Sequence, residues 1–331
     1  MKRANRLLVR TLRRPESGPL VGLLALGLLF QSLSGGNFLT FPQLSALAAL
    51  SASLGMVALG VTLLMISGEF DLSVSQTFAL APILMGRLMT DLDWPAAPAL
   101  GFALTGVLLV GLINGLLTTL ARIPSLIVTL GMLFAVTSLN RVLAGGYPVQ
   151  LYGREGPVIR LMGEDVPATP VGAPFLWMLV AGAILWFVLE RTGYGNWTRA
   201  AGHAGGNVAR AMGVPVSRVK VTNFALCAGL AGLAGCLQLA DFGSSGVSSG
   251  ENYNLLAIVA VVMGGTSLFG VRGTILGTLL GTLILGALKT GLILVGTRGE
   301  YYTGLIGVLL LVVAVINARA EKARRGDERS S

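Results

Sequence analysis

Residue types able to do chemistry are few in this chain, and their spacing excludes most reactions. His203 is the single histidine, and no His-Glu-x-x-His pair, cysteine–histidine cluster or acidic metal nest occurs. Gly243-Ser244-Ser245-Gly246 and Gly246-Val247-Ser248-Ser249-Gly250 have the outline of a serine-hydrolase turn. They lie in a loop between apolar runs with no base in reach, so they read as a flexible Gly/Ser loop. The stretch from Gly281 to Thr290 approaches a phosphate loop, but it has two extra residues before Lys289 and falls in an apolar run, where it cannot cradle ATP. No catalytic residue, metal ligand or cofactor site is expected, and if ATP drives the protein, another chain binds it.

Ionisable groups in apolar surroundings are the next candidates. Glu69 and Asp71 fall between a run ending Met65-Ile66-Ser67-Gly68 and one restarting at Leu72, which puts two carboxylates at a helix break. Two roles are open to Asp71: a substrate or ion contact, or acceptance of backbone N–H bonds at Ser73 and Val74 as the cap of the following helix. Lys289 lies about two turns from the end of its run, so its stem can snorkel outward or its ammonium can face a cavity. Asn114, Gln238, Asn252 and Asn254 are expected as interhelical hydrogen bonds or loop residues. Cys227 and Cys236, nine residues apart in one run, fall on opposite faces of a helix and read as packing residues.

The elements that must position these groups are membrane spans. Of 331 residues, 53% are hydrophobic and only 12% charged, with mean hydropathy +0.77; a soluble domain carries about 25% charged residues. Apolar runs of roughly the 20 residues a span requires recur at 20–33, 42–66, 74–90, 95–121, 124–144, 174–190, 218–240, 254–270, 273–296 and 301–317. An all-α polytopic membrane protein is expected, one transmembrane domain over 1–331 with about ten helices. Disorder, a coiled coil and a disulfide-stapled module are excluded, and the 46 glycines favour close helix packing in lipid.

The charge of +9 is concentrated at the ends, in basic tails at 1–19 and 318–331, which is a membrane-topology pattern and not a nucleic-acid patch. With the amino terminus cytoplasmic, ten crossings put Arg122, Arg191, Arg199, Arg210, Arg218, Lys220 and Arg272 inside and most carboxylates outside. The first run lacks a small-residue cleavage site and is expected as a retained anchor. The run 254–270 contains Gly264, Gly265, Thr266, Ser267 and Gly270, and is expected as a short or broken helix lining a cavity. Gly68-Glu69-Phe70-Asp71-Leu72 and Gly264-Gly265-Thr266-Ser267-Leu268 each end one run and begin another, which suggests a weak parallel internal repeat.

The connection 191–220 is the most informative loop. Asn207 to Pro215 predicts a two-turn helix begun by Asn207 and stopped by Gly213 and Pro215. Held between two spans, such a helix suits a groove on a partner; the alternative is a loop resting on lipid headgroups through its arginines.

Four blocks give the sequence a family resemblance. Ile66-Ser67-Gly68-Glu69-Phe70-Asp71-Leu72-Ser73-Val74-Ser75 resembles the Gly-Gly-x-Asp-Leu-Ser-Val-Gly signature of ribose-type sugar permeases of ATP-binding-cassette (ABC) importers. Ile123 to Met132 is similar to that family's central span, Ala209 to Lys220 to its cytoplasmic coupling segment, and Val262 to Gly273 to its Gly-Gly-Thr-Ser-Leu-Phe-Gly-Gly-x-Gly block. Ser67, Ser75 and Val271 stand where the family uses glycine, and 201–207 diverges.

The resemblance implies an ABC importer permease fold in the bacterial cytoplasmic membrane, both termini cytoplasmic, with no ATPase site of its own. Its implied partners are an ABC ATPase subunit, an extracytoplasmic sugar-binding protein, and a second permease copy or a paralogue. It implies ATPase coupling through Asn207, Val208, Ala209, Arg210, Met212 and Gly213. A substrate path is expected at the two helix breaks, at Glu69, Asp71, Ser73, Thr266 and Ser267, where free backbone and hydroxyl groups can meet a sugar or related small polar solute. The competing reading is a self-sufficient ion-coupled transporter with Glu69 and Asp71 as coupling groups.

Overall fold

The computed structural model describes residues 16–154, 156–164, 169, 171–268, 270–297, 301–312 and 315. The basic tail at 318–331 and most of that at 1–19 lie outside them. In chain order the elements are α1 (Ser17–Leu33), α2 (Phe41–Ile66), α3 (Val74–Asp91), α4 (Ala96–Thr119), α5 (Ser125–Ala144), β1 (Val149–Gln150), α6 (Pro157–Gly163), α7 (Ala173–Arg191), α8 (Gly193–Gly202), a 3-10 turn (His203–Gly206), α9 (Asn207–Ala211), α10 (Val216–Phe242), β2 (Ser244–Ser245), α11 (Tyr253–Met263) and α12 (Ile275–Leu294), followed by α13 (Tyr301–Val312). Helix dominates because only an internally hydrogen-bonded backbone lets long apolar segments leave water. Among the described residues six helices, α2, α4, α5, α7, α10 and α12, are long and apolar enough to cross a membrane, which makes the chain a multi-pass membrane protein.

Burial separates inner from outer helices. The most apolar window of α2 is 89% buried, against 22% for α4 and α5, so α2 is enclosed by protein while α4 and α5 turn residues such as Phe102, Leu109, Ile127 and Phe134 outward. Small residues make that enclosure possible. A Cβ on Gly60 of α2 would come within 2.7 Å of the Cys227 Cα on α10, and one on Gly235 of α10 within 2.0 Å of the Phe78 carbonyl oxygen on α3. One buried polar contact joins α2 to α12, the Thr62 and Thr278 hydroxyls lying 2.6 Å apart. Cys227 and Cys236 are buried free thiols, as packing residues should be.

Three local expectations are refined. The run 254–270 is helical only to Met263, and Gly264 and Gly265 turn the chain out of it. The helix at Asn207 is shorter than two turns and ends at Ala211, with Gly213 left-handed at φ +83°. The Gly/Ser loop is not free: Ser244–Ser245 pairs antiparallel with Val149–Gln150, and the Leu151 N–H donates to the Gly243 carbonyl at 2.8 Å. Backbone groups in that loop are satisfied by the pairing, which a sequence reading of turn residues does not reveal.

Candidate functional site at two adjoining helix breaks

The connection 67–73 between α2 and α3 is organised by its own polar side chains. Asp71 Oδ1 accepts from the Ser73 backbone N–H at 2.8 Å and from the Ser73 hydroxyl at 2.6 Å. Asn114 Nδ2, from α4, donates to the same Ser73 Oγ at 3.0 Å. All three residues are buried. Asp71 therefore holds the backbone that leads into α3, the local role open to an aspartate there. Its other oxygen, Oδ2, and Asn114 Oδ1 have no hydrogen-bond partner among the described residues. Burial pushes the Asp71 carboxyl above its ordinary value, against the opposing pull of its hydrogen bonds from Ser73.

The second connection, 264–274 between α11 and α12, lies against the first. The Val271 N–H donates to the Ile66 carbonyl at the end of α2 at 2.9 Å, and a Cβ on Gly270 would meet the Gly68 Cα at 3.4 Å. Thr266 is buried with an unpartnered hydroxyl, while the Ser267 N–H donates to the Arg272 carbonyl at 2.9 Å. Val271 holds φ at +70°, a left-handed conformation that a β-branched residue adopts only at a steric cost. This is one of the positions where the resembling family uses glycine.

Glu69 faces the segment that follows α9. Its Oε1 accepts from Lys220 Nζ, on the second turn of α10, at 2.5 Å, with the lysine side chain 9% and the glutamate side chain 12% exposed. α8 closes the same joint from the other side. A Cβ on Gly202, its last residue, would lie 2.1 Å from the Ile66 carbonyl oxygen and 3.0 Å from the Val271 nitrogen. Only hydrogen fits there.

α8 is itself fixed to the bundle. Tyr194 donates from its hydroxyl to Asn223 Oδ1 at 2.6 Å, and burial pushes its pKa up to about 12, so the proton stays on. Arg199 donates to the Leu189 carbonyl at 2.7 Å and pairs with Glu190. Along α9, Ala209 is buried beside Val216 and Val219, whereas Asn207, Val208, Arg210, Met212 and Gly213 are exposed. Val208 and Met212, four residues apart and 57% and 79% exposed, put an apolar stripe on the outer surface next to the Arg210 guanidinium.

On the side of the first break away from α9, Asn254 Nδ2 donates to the Leu72 carbonyl at 3.1 Å. One residue earlier Tyr253 packs edge-on against Phe78, ring centroids 5.1 Å apart, and a Cβ on Gly250 would fall 2.5 Å from the Phe78 ring. A closed aromatic contact thus covers the break.

The structure brings Glu69, Asp71, Ser73 and Thr266 together around the joined breaks, and it places Asn207, Val208, Arg210, Met212 and Gly213 on a nearby exposed segment. Lys220, Gly202, Asn114 and the Phe78–Tyr253 pair were not singled out by sequence as parts of this joint. Asn114 was expected as an interhelical hydrogen bond and Lys220 as a cation of the inner connection, but the partner of Lys220 lies 151 positions away.

The sequence matches, over residues 43–314, the family described as branched-chain amino acid transport system / permease component. It is 35% identical to the ribose import permease protein RbsC of Bacillus subtilis, over 91% of this chain and 92% of that one. Identity is 33% to the xylose/arabinose import permease protein XylH of Sulfolobus acidocaldarius, over 82% of this chain and 76% of that one. To the fructose import permease protein FrcC of Rhizobium meliloti it is 30%, over 92% of this chain and 85% of that one.

Proposed function

The chain belongs to the branched-chain amino acid transport system permease component family, and on that premise we propose that it is the membrane subunit through which an ABC importer passes a simple sugar into the cell. The observation that carries this reading is its alignment along most of its length with three permeases named for sugar import. An extracytoplasmic binding protein delivers the sugar, an ATPase subunit binds the ATP, and a second copy or a paralogue completes the membrane part. The chain crosses the cytoplasmic membrane ten times, as two parallel repeats, with both termini and the 191–220 connection on the cytoplasmic face.

The geometry supports a specific division of labour. Asn207, Val208, Ala209, Arg210, Met212 and Gly213 form the ATPase-facing element: Ala209 seats it on the start of α10, and Val208, Arg210 and Met212 are left for the partner. A displacement of α9 bears directly on Gly202 and Lys220, and through them on both breaks, because Gly202 touches Ile66 and Val271 while Lys220 holds Glu69. Two arrangements of this joint, biased by the ATPase pair, give alternating access. Glu69, Asp71, Ser73, Thr266 and Ser267 then line the closure of the substrate path at the coupling end, and the Phe78–Tyr253 contact closes it on the other side.

Ion coupling is the weaker reading, because the carboxylates it would need are engaged: Glu69 with Lys220 and Asp71 with Ser73. Sugar uptake in cells decides between them. Uptake that is lost on deleting the ATPase partner and kept when the ion gradient is collapsed establishes the importer; the reverse pattern establishes a gradient-driven transporter.

A further inference from the structure

A cavity of about 770 Å³ opens at the opposite end of α10 from the joint. Lys220 and Gln238 are eighteen residues apart on this helix, a rise of about 27 Å, so the cavity is remote from α9. Its walls are the end of α5, the Gly146–Pro148 turn, the end of α10 and the Ser244–Gly250 loop.

The cavity is preformed. Besides the β1–β2 pairing, Arg87 of α3 donates from Nε to the Leu143 carbonyl at 3.0 Å and from Nη2 to the Ala144 carbonyl at 2.5 Å, fixing the end of α5. The Gly246 N–H donates to Ser249 Oγ at 3.0 Å, which holds the loop while leaving the Ser249 hydroxyl proton free to donate.

Its lining has unspent hydrogen-bonding capacity. The Ser249 hydroxyl can donate to a ligand, while the Ser245 hydroxyl, in a residue 3% exposed, is sealed behind the wall with no partner among the described residues. Arg141 and Gln238 also line the cavity, and neither side chain has a hydrogen bond or ion pair among the described residues. Tyr147, 79% exposed, adds an aromatic face. Hydroxyl and amide groups plus the planar rings of Tyr147 and Phe242 suit a ligand with hydroxyls around its edge and an apolar C–H face. The lining contains Arg141 and no carboxylate, so nothing in it pairs the ammonium of a free amino acid.

We propose that this cavity is a binding site for a monosaccharide-sized polyhydroxylated ligand, held by Ser249, Gln238 and Arg141 against the Tyr147 ring. It is where the substrate first rests on the permease before the Phe78–Tyr253 contact opens. Gly250 joins the two, lining the cavity and touching the Phe78 ring. The site rests on the sugar-importer reading and gives it an entry point.

The test embeds the purified full-length chain in lipid nanodiscs and records saturation-transfer NMR with D-ribose, D-xylose and D-fructose, with L-leucine as control. At least one sugar takes up saturation and leucine does not. That sugar's affinity falls about fivefold or more in Tyr147→Ala and in Gln238→Ala, as for loss of a contact of ordinary strength, and is kept in Gly193→Ala, where nothing lies within 4 Å of the added Cβ. Saturation of none of the sugars, equal affinity in wild type and both cavity variants, or saturation of leucine overturns the site. Cellular uptake separates that failure from failure of the importer reading. ATPase-dependent sugar uptake that is undiminished in Tyr147→Ala and Gln238→Ala removes the cavity and leaves the importer, whereas sugar uptake unaffected by loss of the whole chain removes the importer.

Discussion

Glu69 and Lys220 meet at 2.5 Å across 151 residues of sequence, with both side chains close to fully buried. The pair ties the loop that ends α2 to the base of α10. Removing one partner leaves a nearly buried charge without its counterion, at a cost of about 3–5 kcal/mol. Glu69→Gln and Lys220→Met should each lower the melting temperature of the purified protein and reduce sugar uptake. The swapped pair Glu69→Lys with Lys220→Glu should recover part of both; a double variant as impaired as the two singles combined would show that the residues do not act together.

Gly202 has no room for a side chain. With a Cβ 2.1 Å from the Ile66 carbonyl oxygen, Gly202→Ala must push α8 away from the two breaks. Overpacking of this kind costs about 1–3 kcal/mol. Uptake should drop sharply while the protein still reaches the membrane in normal amount, and Gly193→Ala, where nothing lies within 4 Å, serves as the control. Equal uptake in the two variants would count against a close joint at Gly202.

Val271 is strained where it meets α2. Its φ of +70° suits glycine, and relief of the β-branched side chain, less the greater freedom glycine has in the unfolded chain, predicts that Val271→Gly stabilises by roughly 0.5–1 kcal/mol. A thermal melt of the purified variant checks this, and a lowered melting temperature refutes it.

Arg210 is exposed on α9 and free to meet a partner. Among the described residues its Nη1 reaches only Asn207 Oδ1, at 3.4 Å. Arg210→Glu should abolish uptake and weaken retention of the ATPase subunit during purification, without changing the melting temperature of the isolated chain, since surface substitutions away from structural features cost little. Normal uptake at normal expression would place the contact elsewhere.

Phe78 and Tyr253 form the contact between the cavity and the first break. Because Phe78 is fully buried, Phe78→Leu keeps most of its volume while removing the ring. The variant should let sugar leak into vesicles in the absence of ATP. Vesicles as tight as those of the wild type would show that the aromatic pair does not close the path.

Much of this was legible from the sequence for a simple reason. Apolar runs of span length cannot leave water except as helices whose backbones satisfy themselves, so 53% hydrophobic residues broken by short polar turns determine a polytopic helical protein. The clustered glycines at 264–274 and the Gly213–Pro215 pair mark helix ends, because a residue that readily takes positive φ and one that lacks an N–H both weaken helix continuation. The motif around Asp71, a short helix begun at Asn207, and the family itself could all be read from residues adjacent in the chain.

Tertiary structure alone decided which breaks touch and what each charge is for. Glu69 and Asp71 look alike in sequence, two carboxylates two residues apart, yet one pairs with Lys220 and the other holds Ser73 and stands beside Asn114. Gly202 is one of 46 glycines until Ile66 and Val271 are seen to crowd it. The cavity needs the ends of α5 and α10 and two loops nearly a hundred residues apart, closed by Arg87 and by the pairing of Val149 with Ser245. Local sequence sets backbone preference through short-range sterics and hydration, whereas these contacts follow from how closely helices pack once small residues let them approach, which is a property of pairs of distant segments.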